Sequence, residues 1–142
     1  MKDIEIAKEL LKKDNLAIVV VKDGEVVFKS LDKGIKPMYI LATEMKEKAI
    51  GASLADKVVG KGAALLCGYI SIKEIYGELI SEGGMETLDK YKIPYTMDKS
   101  CSYIKNRDKT DYCPIERLSL DTEDPILLLE KIKGFFASVA RG

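Results

Sequence analysis

The sequence contains no histidine and no glutamine, and asparagine occurs only twice, at Asn15 and Asn106. Without an imidazole, the chain lacks both the usual general base at neutral pH and the commonest metal ligand. The scarcity of amides in a chain rich in Lys and Glu is typical of proteins from thermophiles, which avoid labile residues. Chance in a chain of 142 residues is the alternative explanation.

Cysteine is also scarce, since Cys67, Cys101 and Cys113 are the only three and no two of them form a C-x-x-C pair. Three thiols without histidine make a poor zinc-binding set, so we expect neither a metal nor another cofactor. Thiols in the cytosol are normally reduced. We therefore expect Cys101 and Cys113 to stay unpaired, and a disulfide between them is the alternative.

The chain also lacks net charge and long apolar segments. Lys plus Arg and Asp plus Glu number 23 each, so the formal net charge is zero, which argues against binding nucleic acid through a bulk electrostatic field. The apolar runs fall far short of the ~20 residues that span a membrane. The N-terminal segment alternates charged and apolar residues and does not resemble a signal peptide. We expect a cytoplasmic protein without a membrane partner.

The first half of the sequence carries clear local signals. Apolar residues fall at helical spacing over residues 2–14, which predicts an amphipathic helix. Two β-branched runs then flank Asp23-Gly24, a pair that is typical of a tight β-hairpin turn. Pro37 suits the first turn of a second helix, and the pattern predicts a further helix over about 53–66.

The second half alternates between strands and helices. We expect IKEIYGELIS, which contains Gly77, to form a strand, EGGMETLDKYKI a short helix and PYTMDKSCSYI an extended segment. NRDKTDYCPIERLSL indicates a loop that becomes a short helix, and Asp124-Pro125 opens a last helix with apolar residues at helical spacing. Because 142 residues suit one core, the whole pattern predicts a single three-layer α/β domain over residues 1–142.

The segment 51–68 is unusually rich in small residues, and on the predicted helix four of them fall at i, i+3, i+4 and i+7. This small-residue stripe consists of Gly60, Ala63, Ala64 and Cys67. Close packing of the helix on a sheet explains such a stripe and would offset the roughly 1 kcal/mol that a glycine costs inside a helix. Asp56 lies at the open end of the stripe, so a hollow for a ligand explains it equally well.

Charged residues in the same segment favour an anionic ligand. Asp56 and Lys57 fall in the first turn of the predicted helix, where the helix dipole alone accounts for an aspartate. Lys57 and Lys61 are like charges four residues apart, which is unfavourable unless an anion or acidic side chains lie between them. The segment is not a Walker phosphate loop, because Ala55 and Gly62 stand where that pattern requires Gly and Ser or Thr.

Two further turns suggest chemistry. The run Ser81-Glu82-Gly83-Gly84 ends a predicted strand and begins a helix, where free backbone N–H groups bind anions. Pro114 suits the first position of a helix, so Cys113 becomes its N-cap, and a thiol there gains nucleophilic character. No histidine is available as its base. A small buried cysteine with a packing role is the alternative.

Three segments, LADKVVGKGAALL, ISEGGMETL and YIKNRDKTDYCPIERL, resemble an uncharacterised prokaryotic family of unknown function in the cytidine deaminase-like superfamily. The similarity runs over nearly the whole chain. The resemblance implies a three-layer α/β/α fold, with a mixed sheet opened by the hairpin and flanked by helices. Its most specific parts are Asp56-Lys57, Gly60-Lys61, Ser81-Glu82, Asn106-Arg107, and Cys113-Pro114 with Glu116.

The same resemblance shows that the zinc motifs are missing. Zinc deaminases carry H-x-E on one helix and P-C-x-x-C on another, with the zinc activating water and the Glu moving protons. This sequence has SLADKVV and SEGGMETL at the places that the resemblance assigns to them. It therefore implies a deaminase-like scaffold without its metal, and a scaffold alone does not fix a reaction.

In deaminase-like folds two helix N-termini converge on the ligand, so the resemblance implies a pocket between the helix that carries Asp56 and the helix after Ser81. Lys61 and Arg107 would suit a phosphate, and the carboxylates a ribose hydroxyl or a base edge. The expected ligand-binding residues are Asp56, Lys57, Gly60, Lys61, Ser81, Glu82, Gly83, Asn106 and Arg107. The candidate reactive groups are Cys113, Asp56 and Glu116.

Three functions remain open at this point. The first is a protein that binds or senses a nucleotide-like small molecule without zinc chemistry. The second is a metal-free enzyme acting on nucleotides or related molecules, with Cys113 or a carboxylate as the reactive group. The third is a protein-interaction module whose small-residue helix packs against a partner subunit, and the sequence also leaves a homo-oligomer open.

Overall fold

The computed structural model describes residues 1–106 and 108–141, which form a five-stranded mixed sheet with helices on both faces. In chain order the elements are α1 (Asp3–Lys13), β1 (Ile18–Lys22), β2 (Glu25–Ser30), α2 (Lys36–Glu44), α3 (Lys46–Ala49), β3 (Ser53–Val59), α4 (Lys61–Ile70), β4 (Glu74–Ser81), α5 (Glu82–Lys90), β5 (Tyr95–Cys101), α6 (Pro114–Ser119) and α7 (Pro125–Arg141).

The strands lie in the order β2-β1-β3-β4-β5. β1 runs antiparallel to both β2 and β3, whereas β3, β4 and β5 are parallel. The predicted hairpin is confirmed: Asp23 and Gly24 have φ angles of 52° and 81°, as a type I′ turn requires. The Asp3 carboxylate accepts hydrogen bonds of 2.9 Å from both N–H groups of this turn and so attaches α1 to it.

Two hydrophobic clusters separate the faces of the sheet. Ala7 and Leu11 of α1 pack against one face, on side chains that include Val19 and Tyr76. α2, α4, α5 and α7 cover the other face, where the larger cluster is centred on side chains such as Leu66 and Ile80. This arrangement confirms the three-layer α/β/α fold with a mixed sheet that the sequence predicted.

The helix predicted over about 53–66 is wrong in its first half. Residues 53–59 form the central strand β3, which is hydrogen-bonded to β1 on one side and β4 on the other, and α4 begins only at Lys61. Ala55, Asp56 and Lys57 are weak strand formers, so the local signal is misleading. The neighbouring strands overrule it, because a strand between two others satisfies all its backbone polar groups.

The other predicted elements are present, but the second predicted helix is divided at Met45 into α2 and the short α3. α2 begins one residue before Pro37, and β4, α5 and β5 follow in the predicted order. α6 begins at Pro114 and α7 at Pro125. Within the described residues, no helix is both long enough and apolar enough to cross a bilayer.

Candidate functional site at the carboxyl ends of the parallel strands

The starts of α4 and α5 lie side by side at the carboxyl ends of β3 and β4. A single residue, Gly60, joins β3 to α4, and β4 passes directly into α5 at Ser81. A Cβ placed on Gly84 would lie 2.8 Å from the Val59 carbonyl oxygen, so only glycine allows the start of α5 to approach the β3–α4 turn this closely. Two helix N-termini therefore converge as predicted. They are the starts of α4 at Lys61 and of α5 at Glu82, and Asp56 does not lie at either of them.

The N-terminus of α4 is capped by a carboxylate from a distant part of the chain. Glu116 Oε1 accepts a hydrogen bond of 2.8 Å from the Lys61 N–H, and its Oε2 accepts one of 2.8 Å from the Ile104 N–H. Glu116 is only 7% exposed, and a buried carboxylate of this kind requires such partners. The helix dipole adds to its stabilisation at this position.

Glu116 also explains Gly60. A Cβ at Gly60 would lie 2.5 Å from Glu116 Oε1 and 3.1 Å from Ile104 Cγ1. The space beside this glycine is therefore filled by the chain itself and is not a hollow next to Asp56. The rest of the stripe packs inside the protein, because Ala64 and Cys67 are fully buried in the larger cluster. Packing, not a ligand, accounts for the small residues of α4.

The start of α5 is built by the Ser81–Gly84 turn. Ser81 is fully buried, and its Oγ accepts a hydrogen bond of 3.0 Å from the Gly84 N–H, as the N-cap of a helix does. One turn later, Thr87 Oγ1 donates to the Gly83 carbonyl oxygen. A Cβ at Gly83 would lie 3.4 Å from Lys61 Cβ, which brings the first turns of α4 and α5 into direct contact.

An open cleft of about 330 Å³ lies beside this contact. Its lining combines two lysines with two glutamates from three parts of the chain, and we call it the Lys61–Lys90 cleft. Lys61 Nζ lies 2.8 Å from Glu123 Oε1 and donates a 3.3 Å hydrogen bond to the Leu120 carbonyl oxygen. Lys90 Nζ lies 3.5 Å from the other oxygen, Oε2, of Glu123. The lining residues are Lys61, Gly83, Glu86, Thr87, Lys90 and Glu123.

Of the residues that line the cleft, the sequence predicted only Lys61 and Gly83, although a helical spacing in α5 points to three of the others. Gly83, Glu86, Thr87 and Lys90 stand at i, i+3, i+4 and i+7 and so share one face of α5. Extending the Gly83 turn along that face would have found them. Glu123 carries no such signal, because it reaches the cleft only through the packing of α6 and α7 on α4.

Asp56 and Lys57 lie outside the cleft, on strand β3. Lys57 Nζ donates a 2.6 Å hydrogen bond to Asn15 Oδ1, just after α1, and Lys57 does not share a helix with Lys61 as the sequence predicted. The half-buried Asp56 is paired with Ile18, a member of the cluster under α4, so its side chain points to that face. Burial raises the pKa of the Asp56 carboxyl to about 7, and hydrogen bonds from Val58 and Lys57 N–H groups oppose the rise.

The loop after β5 contributes less than expected. Asn106 uses its side chain within the loop, since its Oδ1 accepts the Thr110 N–H and its Nδ2 lies 3.3 Å from Thr110 Oγ1. Arg107 lies outside the described residues. Cys113 is the N-cap of α6, as predicted, but this helix is short. The backbone N–H of Cys113 donates a hydrogen bond to the Ile104 carbonyl oxygen.

One cysteine that the sequence left without a role lies near Glu116. Cys101 ends β5 beside Ser81 of β4, and burial together with the charge of Glu116 raises the pKa of its thiol. All three cysteines are free thiols in the structure. Ser81 and Cys101 lie at the carboxyl ends of β4 and β5, Gly60 follows β3, and the Glu116 carboxylate lies beside Gly60.

The residues at the two helix starts do not fit a zinc ion. α4 begins with Gly60-Lys61-Gly62 and α5 with Ser81-Glu82-Gly83, so neither supplies the histidine or paired cysteines that zinc prefers. No group of three His, Cys, Asp or Glu side chains converges in the part of the chain that the structure describes.

The family of the chain is shown by its sequence. The model of a domain of unknown function, DUF1893, matches residues 6–136. The chain belongs to this family. The crystal structure of a DUF1893 family protein from Thermotoga maritima has a TM-score of 0.84 and 24% identity, covering 94% of this chain and 90% of that one. The DUF1893 chain thus shares its fold with that structure, which assigns no activity.

Two solved deaminases are more distant. A diaminohydroxyphosphoribosylaminopyrimidine deaminase/5-amino-6-(5-phosphoribosylamino)uracil reductase from Thermotoga maritima has a TM-score of 0.48 and 19% identity, over 67% of this chain and 35% of that one. A dCMP deaminase from the cyanophage S-TIM5, in complex with dCMP and dUMP, has a TM-score of 0.45 and 10% identity, over 66% and 92%. The place of the DUF1893 chain in the cytidine deaminase-like superfamily stays a prediction, because both TM-scores lie below 0.5. These TM-scores say nothing about its ligand. No curated protein matches it.

Proposed function

We propose that this DUF1893 protein binds a nucleotide-like small molecule in the Lys61–Lys90 cleft, without zinc chemistry. A single observation carries the proposal: two lysines, from α4 and α5, converge on one carboxylate next to Gly83, in a cleft at the carboxyl ends of parallel strands. Ligands of open α/β sheets bind at this edge. Two ammonium groups beside a helix start form a suitable site for a phosphate.

The other lining residues suit the rest of such a ligand. Glu86 is exposed at the cleft and offers carboxylate oxygens as acceptors for ribose hydroxyls. The volume of about 330 Å³ lies within the range for small-molecule sites. Glu116 is not available as a reactive group in this arrangement, because backbone N–H groups occupy both of its oxygens.

The experiment compares binding of nucleosides, nucleoside monophosphates and nucleoside diphosphates by isothermal titration calorimetry. We expect a monophosphate to bind more tightly than its nucleoside, and Lys90→Met to remove that difference. Lys99→Met, at an exposed lysine on β5, is the matched control and leaves affinity unchanged. Mass spectrometry of the native and denatured protein additionally detects a retained small molecule.

Gly83→Ala gives an independent test that leaves charge unaltered. The added methyl would lie at an ordinary contact distance of 3.4 Å from Lys61 Cβ, so the fold tolerates it. It narrows the cleft, however, and we expect it to weaken nucleotide binding several-fold without lowering the melting temperature, since alanine is the better helix former. The proposal fails if no nucleotide binds, or if Lys90→Met and Lys99→Met bind nucleotides equally well.

A further inference from the structure

Glu123 occupies the position between the two lysines of the cleft. Its Oε1 lies 2.8 Å from Lys61 Nζ and its Oε2 lies 3.5 Å from Lys90 Nζ, so each oxygen faces one ammonium group. Lys61, and then more weakly Lys90, holds the pKa of this carboxyl below its usual range. A carboxylate that meets two ammonium groups in this way has the charge and the geometry of a bound anion.

We propose that Glu123 is an internal anion that competes with the ligand's phosphate, so that ligand binding displaces the Glu123 side chain from between Lys61 and Lys90. This inference rests on the proposed function and specifies how the same site is regulated. The chain closes its own anion position in the absence of ligand. Only a ligand whose anionic group binds the two lysines more strongly than one carboxylate opens it.

The contrast between two glutamates shows why Glu123, and not Glu116, is displaceable. Glu116 is buried and both its oxygens accept backbone N–H groups, so its removal would leave α4 uncapped. The Glu123 side chain is 57% exposed and its contacts are ion pairs with side chains. Ion pairs at an exposed position contribute little stability, and they exchange readily for a more highly charged partner.

The packing around Glu123 limits the motion to its side chain. The preceding residue, Thr122, is 4% exposed, and its Oγ1 accepts a hydrogen bond of 3.2 Å from the Asp124 N–H. The backbone between α6 and α7 is thereby anchored on both sides of Glu123. We therefore expect the carboxylate to swing towards solvent while Thr122 and Asp124 keep their positions.

The test measures the affinity for inorganic phosphate in the wild type, in Glu123→Gln and in a matched control, Glu86→Gln. Glu86 lines the same cleft but forms no ion pair among the described residues, so both variants remove one negative charge from it. We expect Glu123→Gln to bind phosphate roughly tenfold more tightly than the wild type, since its internal competitor is gone. Glu86→Gln should change the affinity less than about twofold, because it removes only the general charge.

Equal effects of Glu123→Gln and Glu86→Gln overturn the inference. If Glu123→Gln does not fold, a phosphate titration of the wild type followed by NMR decides the question. Joint shifts of the Gly83 amide and the Glu123 side-chain carboxyl carbon support displacement, with the Thr122 amide hardly moved. A Gly83 shift without a Glu123 shift overturns it, and so does the absence of both shifts at saturating phosphate concentrations.

The same measurements separate this inference from the proposed function. Tight nucleotide binding that is unaltered by Glu123→Gln leaves the function in place without an internal competitor. Tighter phosphate binding by Glu123→Gln, with no nucleotide binding to the wild type or either variant, keeps the internal anion and removes the nucleotide as its ligand.

Discussion

The Glu116 carboxylate fills the space beside Gly60: its Oε1 lies only 2.5 Å from the ideal position of a Cβ on residue 60. The backbone at Gly60 is extended, with φ −98° and ψ −173°, so the glycine is required by space and not by conformation. A contact between residues 56 positions apart in the chain thus fixes the beginning of α4.

Gly60→Ala should therefore destabilise the protein, by about 1 kcal/mol, because the methyl displaces the carboxylate that caps α4. Denaturant unfolding of the single variants and of Gly60→Ala with Glu116→Ala measures this effect. In the Glu116→Ala background the alanine at position 60 should cost much less, since there is no carboxylate left to displace. Strictly additive costs would contradict the contact.

Asp56→Asn should stabilise the protein above pH 7. Burial raises the folded-state pKa of Asp56 from 3.8 to about 7, so protonation favours the folded state. This stabilisation is fully present below about pH 4 and is lost as the pH rises through about 7. The neutral amide avoids the loss, and we expect a gain on the order of 1 kcal/mol at pH 8, allowing for partial exposure. Melting temperatures between pH 5 and pH 8 measure it.

Asp98→Asn supplies the control of opposite sign. The Tyr76 hydroxyl, followed by Lys12, lowers the pKa of Asp98, so its stabilisation is present above the unfolded pKa and is lost as the pH falls through the folded value. This variant should lose stability at pH 7, and less at acidic pH. An effect of Asp56→Asn that does not change with pH would show that burial of its charge is not the cause.

The three cysteines should differ in their rates of alkylation, with Cys113 first, Cys101 second and Cys67 last. Cys67 is fully buried, and burial together with nearby Asp56 raises the pKa of its thiol. Cys101 is half-buried and the pKa of its thiol is raised as well. Peptide-resolved mass spectrometry after timed iodoacetamide treatment gives the order. Early labelling of Cys67 in the folded protein would contradict the buried position of α4 in the structure.

Gly134→Ala should stabilise α7 by up to about 1 kcal/mol. Gly134 lies in the middle of this helix, and an ideal Cβ there would meet no atom within 4 Å. Alanine is the better helix former and loses less entropy on folding. Thermal unfolding and size-exclusion chromatography should be measured together. Lower stability, or dissociation of an oligomer, would mean that another chain packs on this glycine.

Purified protein should hold far less than one zinc ion per chain. The chain has no histidine, and no three donor side chains converge among the described residues. Metal analysis of protein prepared without chelators measures the content. Stoichiometric zinc that resists a chelator would contradict this expectation and would call for donors that the fold does not bring together here.

Much of the fold was predictable from short segments of the sequence. Asp23-Gly24 determined the hairpin turn, because both positions need positive φ and few other pairs adopt it. Ser81 determined the start of α5, since its side chain accepts the hydrogen bond of a backbone group three residues later. Pro114 and Pro125 likewise marked the first residues of α6 and α7. These signals are local, so no other part of the chain can overrule them easily.

Tertiary structure alone decided strand β3 and the candidate site. Residues 53–59 have a helical pattern, but the backbone hydrogen bonds from β1 and β4 on either side make them a strand. Glu116 reaches Lys61 and Ile104, and Glu123 reaches Lys61 and Lys90, only after α6 and α7 have packed on α4. Contacts between residues this far apart leave no periodicity in the sequence. Their geometry depends on how whole elements pack, and a list of residue types does not contain that information.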